Sequence, residues 1–377
     1  MSNKKIFQLV TVSKSIPLMK GQIEYLRDKG LDVHLVSSEG SEQHTYSSDI
    51  THVVNMEREI SLKNDLKSLI NMIRLFKKEK PYIVNSGTPK AGLIGTLAAF
   101  ITRRPVRIYT VRGLRLETVT GFKYKILYAM EKLAMLCATD VISVSDSLKS
   151  KILELNLTKD NKIKVLGNGS SNGVDLNIYN KENNKIPSSI KKDIVDKFVI
   201  GFAGRIVKDK GIHELVEMFK ILQNNKTNLK LLMLGDFEEN NSITKEDNEY
   251  LIKNKDIILT GHVSSTANYF NYMDVLVLPT YREGFSNVSI EAQAIGIPVI
   301  TTDATGAIDT VVDGQTGFIV ETGNVSKLVE KLELLMDNQD LKKSMGENAQ
   351  KRVKEYYSNE VVWTFLENMY KDYIKRN

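Results

Sequence analysis

A single cysteine, Cys137, stands among the 377 residues, so an intrachain disulfide and a cysteine-based zinc cluster are both excluded. It lies in the apolar run Leu133–Ala138 and reads as a buried structural thiol. Five histidines are scattered without HExxH-type spacing, so no dedicated metal site is expected. No stretch reaches the roughly 18 apolar residues that a spanning helix needs. Lys4 and Lys5 precede the run Ile6–Val12, which Gln8 interrupts and no small-residue cleavage site follows. This opening reads as a first strand rather than a signal peptide, which places the protein in the cytoplasm. No Gly-x-Gly-x-x-Gly follows that strand, which argues against a dehydrogenase. Helix-turn-helix, zinc-finger and RNP-like aromatic patterns are missing, so nucleic acid is not an expected partner. Short tandem repeats are also missing.

What is present is an ordinary globular composition, 42% apolar and 26% charged, on a chain long enough for two domains. The charge is uneven. Residues 1–170 carry 27 Lys and Arg against 16 Asp and Glu, whereas the remainder carries 25 against 30. A basic N-terminal half predicts an anionic partner, with drift toward lysine as the plain alternative. Short apolar runs alternate with amphipathic stretches. Strands are expected at Ile6–Val12, Leu31–Ser37, Ile83–Asn85, Arg107–Val111 and Val141–Val144, with helices at Gln22–Lys29, Leu62–Lys80, Ala91–Thr102 and Lys123–Ala138. The pattern restarts with strands at Phe198–Gly204, Leu229–Leu234, Ile257–Thr260, Val275–Pro279 and Pro298–Thr302. Its helices are expected at Ile212–Asn224, Glu246–Asn254, Asn287–Ile295 and Val325–Leu335. Such alternation predicts βαβ units and parallel sheets. The polar stretch between the halves suits a connector, and Glu347–Lys375 reads as helical with an apolar stripe around Trp363. The expected division is residues 1–172, a connector at 173–196, a second domain at 197–360, and a terminal helix at 361–377 packing back toward the first domain.

Two constellations carry chemistry. In the first, Phe202–Gly204 ends a strand, and Arg205 and Lys210 precede the helix at Ile212. A guanidinium fork, an ammonium and a helix N-terminus suit a diphosphate, although strand–Gly–Arg turns also form plain salt bridges. In the second, Glu283-Gly284-Phe285-Ser286-Asn287 leads from a strand into a helix that carries Glu291 one turn beyond Asn287. Gly284 frees the amides of Phe285, Ser286 and Asn287 to face an anion. A carboxylate can accept two adjacent hydroxyls, as on a ribose.

Together, Glu283…Glu291 and Gly204-Arg205…Lys210-Gly211 resemble the signatures of family 4 of the retaining glycosyltransferases. Asn172-Gly173-Val174-Asp175, Thr88–Gly92 and Asp313–Phe318 extend the similarity, particularly to members that build bacterial capsule and O-antigen repeat units. The resemblance implies a GT-B fold: α/β, two Rossmann-like doubly wound domains facing a central cleft. It implies that Arg205 and Lys210 grip the diphosphate of a UDP-sugar, that Glu283 contacts the sugar, and that Glu291 holds the ribose. Gly284, Phe285, Ser286 and Asn287 complete the donor site, the turn Gly261-His262-Val263 meets a uracil, and Gly21 lies near the phosphates. His262 alone reads as structural. Retention would proceed by same-face attack through an oxocarbenium-like transition state with the leaving phosphate as base. No Asp-x-Asp occurs, so no metal or other cofactor is expected, and Arg205, Lys210 and helix dipoles would neutralise the leaving group.

The chain departs from its relatives in the N-terminal half. Many carry a histidine where this sequence has Arg112, after the strand ending near Thr110. Arginine has no acceptor and cannot act as a base. It could stabilise the departing diphosphate, crowd a donor that lacks a C6 hydroxyl, or simply pair with Glu117. The expected function is transfer of an N-acetylated aminosugar, with a 6-deoxy form favoured, to a polyprenyl-diphosphate-linked sugar. The enzyme would sit peripherally on the anionic inner face of the cell membrane. The alternatives are a UDP-sugar epimerase on the same scaffold and a non-catalytic nucleotide-sugar-binding subunit.

Overall fold

The structure, a computed structural model, describes residues 4–181, 186–238 and 243–376. The chain divides into two compact units, Met1–Asn172 with Asn359–Asn377, and Gly173–Ser358.

The first unit is built on a seven-stranded parallel sheet: β1 Ile6–Leu9, β2 Val33–Ser37, β3 Thr51–Val53, β4 Ile83–Ser86, β5 Val106–Val111, β6 Asp140–Ser143 and β7 Ile163–Val165. Its order is β3-β2-β1-β4-β5-β6-β7. The inner strands are almost wholly buried, because helices cover both faces of a parallel sheet. Helix Pro89–Ile101 packs between Leu62–Glu79 and Gly121–Cys137. The helix Asn359–Lys375 belongs to this unit. Its Tyr370 hydroxyl accepts from Asn85 Nδ2 at 2.7 Å and from Gln8 Nε2 at 3.3 Å, on the central strands β4 and β1.

The second unit holds a six-stranded parallel sheet: β8 Phe198–Ala203, β9 Leu229–Leu234, β10 Ile257–Leu259, β11 Val275–Leu278, β12 Val299–Thr302 and β13 Gly317–Val320. Its order is β10-β9-β8-β11-β12-β13. Each sheet reverses direction once, at β1/β4 and at β8/β11. Open α/β sheets bind ligands outside the carboxyl ends of the strands at such a switch point.

The expected strands form with ends moved by up to three residues; Ile6–Val12, for instance, shortens to Ile6–Leu9, whereas Ile83–Asn85 extends to Ser86 and Arg107–Val111 begins at Val106. The strands β3, β7 and β13 are additional. Each is an outer strand of three or four residues, too short to show a period. The helix expected over Glu347–Lys375 is two helices, Gln339–Tyr356 and Asn359–Lys375. The break has a cause: the carbonyl of Tyr357 accepts the amide of Val174 at 2.8 Å, and Ser358 bridges Val174. The stretch 173–196 falls within the second unit and carries the helix Ser188–Ile194; its residues 182–185 lie outside the described residues.

Candidate active site

Every residue singled out in the C-terminal half except Glu291 lies on a loop or helix start at the carboxyl edge of the second sheet. Glu291 lies farther along one of those helices, Asn287–Ala294. After β8 the chain runs through Gly204 and Arg205 into the 3₁₀ turn Lys208–Lys210, then through Gly211 into helix Ile212–Asn225. Gly211 is left-handed at φ +69°, and a Cβ there would stand 1.9 Å from the carbonyl oxygen of Pro279, beyond β11. Only glycine lets the two loops approach this closely. The approach brings Lys210 Nζ onto Glu283 Oε1 in an ion pair with both side chains about four-fifths buried. Beside it, Arg282 Nη2 meets Asp209 Oδ2 at 3.1 Å. Arg205 is more than half exposed and pairs at 2.8 Å with Glu238.

Ser286 caps the helix Asn287–Ala294 without a side-chain bond to its amides, and the buried Ser286 Oγ has no partner among the described residues. Phe285 turns its ring onto Tyr357 at 5.3 Å between centroids, so only its backbone can serve a ligand. On the same helix, Glu291 Oε2 accepts from Thr266 Oγ1 at 3.3 Å, and Thr266 Oγ1 lies 3.0 Å from the Tyr179 hydroxyl. Burial pushes the Glu291 carboxyl up to about 7, against the pull of the Tyr179 and Thr266 hydrogen bonds. His262 is exposed, and its amide is donated to Asp236 Oδ1 at 2.8 Å, so a base there would find the carbonyl of His262 and the backbone of Val263.

Gly21 and Arg112 lie in the first unit. A Cβ on Gly21 would stand 2.7 Å from the Trp363 indole, so packing alone demands glycine there. Arg112 follows β5 and donates through Nη1 to the carbonyl of Gly87, after β4. Glu117, the carboxylate that could have neutralised it, does not pair with it; none of the ion pairs among the described residues includes Arg112.

Sequence reasoning missed Tyr179 and Thr266, which reach Glu291 from distant segments, and the Asp209–Arg282 pair, whose signal was an opposite charge next to each named residue. It also expected no metal site, yet His213, Glu217 and Asp247 lie close enough to share an ion. Asp247 already accepts from Thr244 Oγ1 at 2.9 Å and faces His213 Nδ1 at 3.1 Å, which accounts for it as a helix cap.

The profile described as "Glycosyl transferase 4-like" matches residues 5–145, and that of "Glycosyl transferases group 1" matches residues 184–352. The chain is 58% identical to the capsular polysaccharide biosynthesis glycosyltransferase CapM of Staphylococcus aureus, covering 100% of this chain and 99% of CapM. It is 28% identical, over 90% of each chain, to the UDP-Gal:alpha-D-GlcNAc-diphosphoundecaprenol alpha-1,3-galactosyltransferase of Escherichia coli. The crystal structure of a glycosyltransferase from Rickettsia africae superposes with a TM-score of 0.80 at 21% identity, covering 100% of both chains. The profiles and the CapM relative show a glycosyltransferase, and the two parallel-sheet units have the GT-B fold. The chain belongs to family 4 of these enzymes.

The state of Glu291 gives a pH dependence. The native carboxyl holds its proton up to about 7, while an ordinary glutamate releases it near 4.5. The native state therefore binds more protons between these values. The stability Glu291 contributes is complete below about 4.5 and is lost as pH rises through about 7. Glu291→Gln, neutral throughout, should gain on wild type by on the order of 1–3 kcal/mol between about pH 4.5 and pH 8. Denaturant unfolding of the unliganded protein at the two pH values measures this; parallel stabilities at both would contradict it.

Proposed function

We propose that the enzyme transfers an N-acetylated aminosugar, with retention, from a UDP-sugar to a polyprenyl-diphosphate-linked sugar during synthesis of a capsule or other surface polysaccharide. The observation that carries the reading is the meeting of Lys210 and Glu283 at the β8/β11 switch point, with Glu291 farther along the helix that follows. The names of the Staphylococcus and Escherichia relatives support the capsule and the lipid-diphosphate acceptor.

The donor diphosphate would take Lys210 and Arg205 as counter-charges, and Glu283 would turn to the sugar hydroxyls. Glu291 would accept from the ribose, and the Gly261-His262-Val263 turn would meet the uracil. With two cations and a helix N-terminus facing the leaving group, transfer proceeds without a metal. Removing Lys210 or Glu291 should weaken UDP binding by roughly 1.5–3 kcal/mol. Calorimetry on Lys210→Ala and Glu291→Ala checks this; wild-type affinity in both would sink the donor assignment.

Arg112 is larger than the histidine of many relatives. Its bulk favours a donor with no hydroxyl at C6, of the fucosamine or quinovosamine type. Competition between UDP-N-acetylhexosamines and their 6-deoxy forms, with a lipid-diphosphate sugar as acceptor and EDTA present, should favour the 6-deoxy donor by roughly 10- to 200-fold. Equal or better use of the 6-hydroxy sugar would refute the donor, and loss of turnover to EDTA would refute metal independence.

The first unit would dock on anionic lipid. No helix among the described residues is long and apolar enough to cross a membrane. The apolar stretch Leu93–Ile101 is largely core; only its end, Phe100 and Ile101, is strongly exposed, and Arg107 is spent on the carbonyl of Cys137. A different face supports docking: Leu62, Leu66 and Ile70 stand exposed at helical spacing, beside Lys63 and Lys67. Each basic residue near an anionic surface contributes about 1 kcal/mol, and salt screens it. Vesicle flotation should require anionic lipid and fade in high salt, whereas equal binding to neutral vesicles would contradict this docking.

A further inference from the structure

Bulk accounts for only half of Arg112. A methionine would crowd a C6 position as well, without placing a half-buried charge there. We propose that Arg112 is an anion receptor in the first unit and takes a phosphate of a diphosphate ester that the reaction handles. The inference rests on the reading under "Proposed function", which supplies two such esters, the donor's and the acceptor's.

One arm of the guanidinium, Nη1, is anchored on the carbonyl of Gly87, and a Cβ on Gly87 would stand 1.7 Å from that nitrogen. Glycine at 87 is therefore the condition for arginine at 112 to lie as it does. Nε is buried and meets no acceptor among the described residues. No carboxylate among them pairs with Arg112. Glu131, a buried carboxyl carried by helix Gly121–Cys137, is taken by the Tyr109 hydroxyl at 2.9 Å. The aromatic neighbours with an electrostatic pull on Arg112 are the hydroxyls of Tyr109 and Tyr370, both neutral. Desolvation accordingly draws the guanidinium down to about 10.

A half-buried charge whose Nε is cut off from water, with no counter-charge among the described residues, is a liability in a protein that does not use it. Here the anchor positions the fork instead of neutralising it. The place also fits a ligand: Gly87 and Arg112 follow β4 and β5, at the carboxyl edge of the first sheet and beside its β1/β4 switch point. A planar fork with several N–H donors matches the oxygens of a phosphate.

The test uses the full chain and two variants, Arg112→Gln and Arg112→Lys. Equilibrium binding of farnesyl diphosphate probes the acceptor side, and UDP probes the donor side. Arg112→Gln should weaken one of the two at least tenfold and leave the other within twofold, with Arg112→Lys between wild type and Gln. The probe that weakens identifies which diphosphate the residue holds. Thermal unfolding without ligand supplies the second readout. Arg112→Gln should melt at or above the wild-type temperature, because an uncompensated charge is gone. Unchanged affinity for both probes overturns the proposal, and so does a lowered unliganded melting temperature with both affinities weakened in parallel. A wild-type chain that binds neither probe removes the functional reading and this inference together. Wild-type binding that Arg112→Gln leaves intact removes this inference alone.

Discussion

The ion pair between Lys210 and Glu283 ties the two sides of the second sheet together at the point where ligands enter. It joins the loop after β8 to the loop after β11, and Asp209–Arg282 runs alongside it in the opposite sense. Gly211, pressed against the carbonyl of Pro279, makes the approach sterically possible. Removing one partner of such a largely buried pair strands the other charge, which is the expensive way to break it. A nucleotide diphosphate does something different. Under the proposed donor assignment it would bring its own negative charge to Lys210 and release Glu283 toward sugar hydroxyls, so no charge would be left unpaired. Binding there would be an exchange of partners, with Glu283 held against the cation until the ligand claims it.

The two glutamates of the motif differ in state. Glu283 has a cation at hand, whereas Glu291 has only hydroxyls, those of Thr266 and Tyr179. Desolvation without a counter-charge lifts Glu291 to about 7. Ribose hydroxyls donate best to the ionised form, so under the proposed assignment binding at Glu291 would be coupled to loss of a proton near neutrality. Eight positions apart in sequence, the two carboxylates are suited to different tasks by what packs around them.

This contrast shows how far the sequence could be read. Gly204-Arg205…Lys210-Gly211 and Glu283…Glu291 were legible because each is one strand, one loop and one helix, and local spacing settles which residues point the same way. Their meeting across β8 and β11 was not, since strand order is a property of the sheet. Tyr179 and Thr266 reach Glu291 from segments 112 and 25 residues away, and no local pattern marks them. The break at Tyr357–Ser358 was hidden for the same reason: helix propensity runs through it, and the Val174 backbone interrupts it. Arg112 was visible as an unusual residue, but its missing counter-ion is visible only when every neighbouring carboxylate has been located.

The cations of the two units are held in different ways. In the second unit Lys210, Arg205 and Arg282 each face a carboxylate of their own. The exposed Arg205–Glu238 pair is worth little, about 0–1 kcal/mol, and yields easily to a ligand. The largely buried pairs would yield only to a ligand of comparable charge. Under the proposed assignment that arrangement would select a diphosphate over a weaker anion, because anything less fails to compensate the carboxylate that must be displaced. Arg112 in the first unit has no such guard among the described residues. As the proposed anion receptor it would discriminate among anions less and cost the free protein more, a burden relieved when the anion arrives. A site of the first kind sets which ligand is admitted. One of the second kind is stabilised by whatever anion reaches it, so its selectivity depends on the shape of the surroundings that Gly87 and Tyr370 provide.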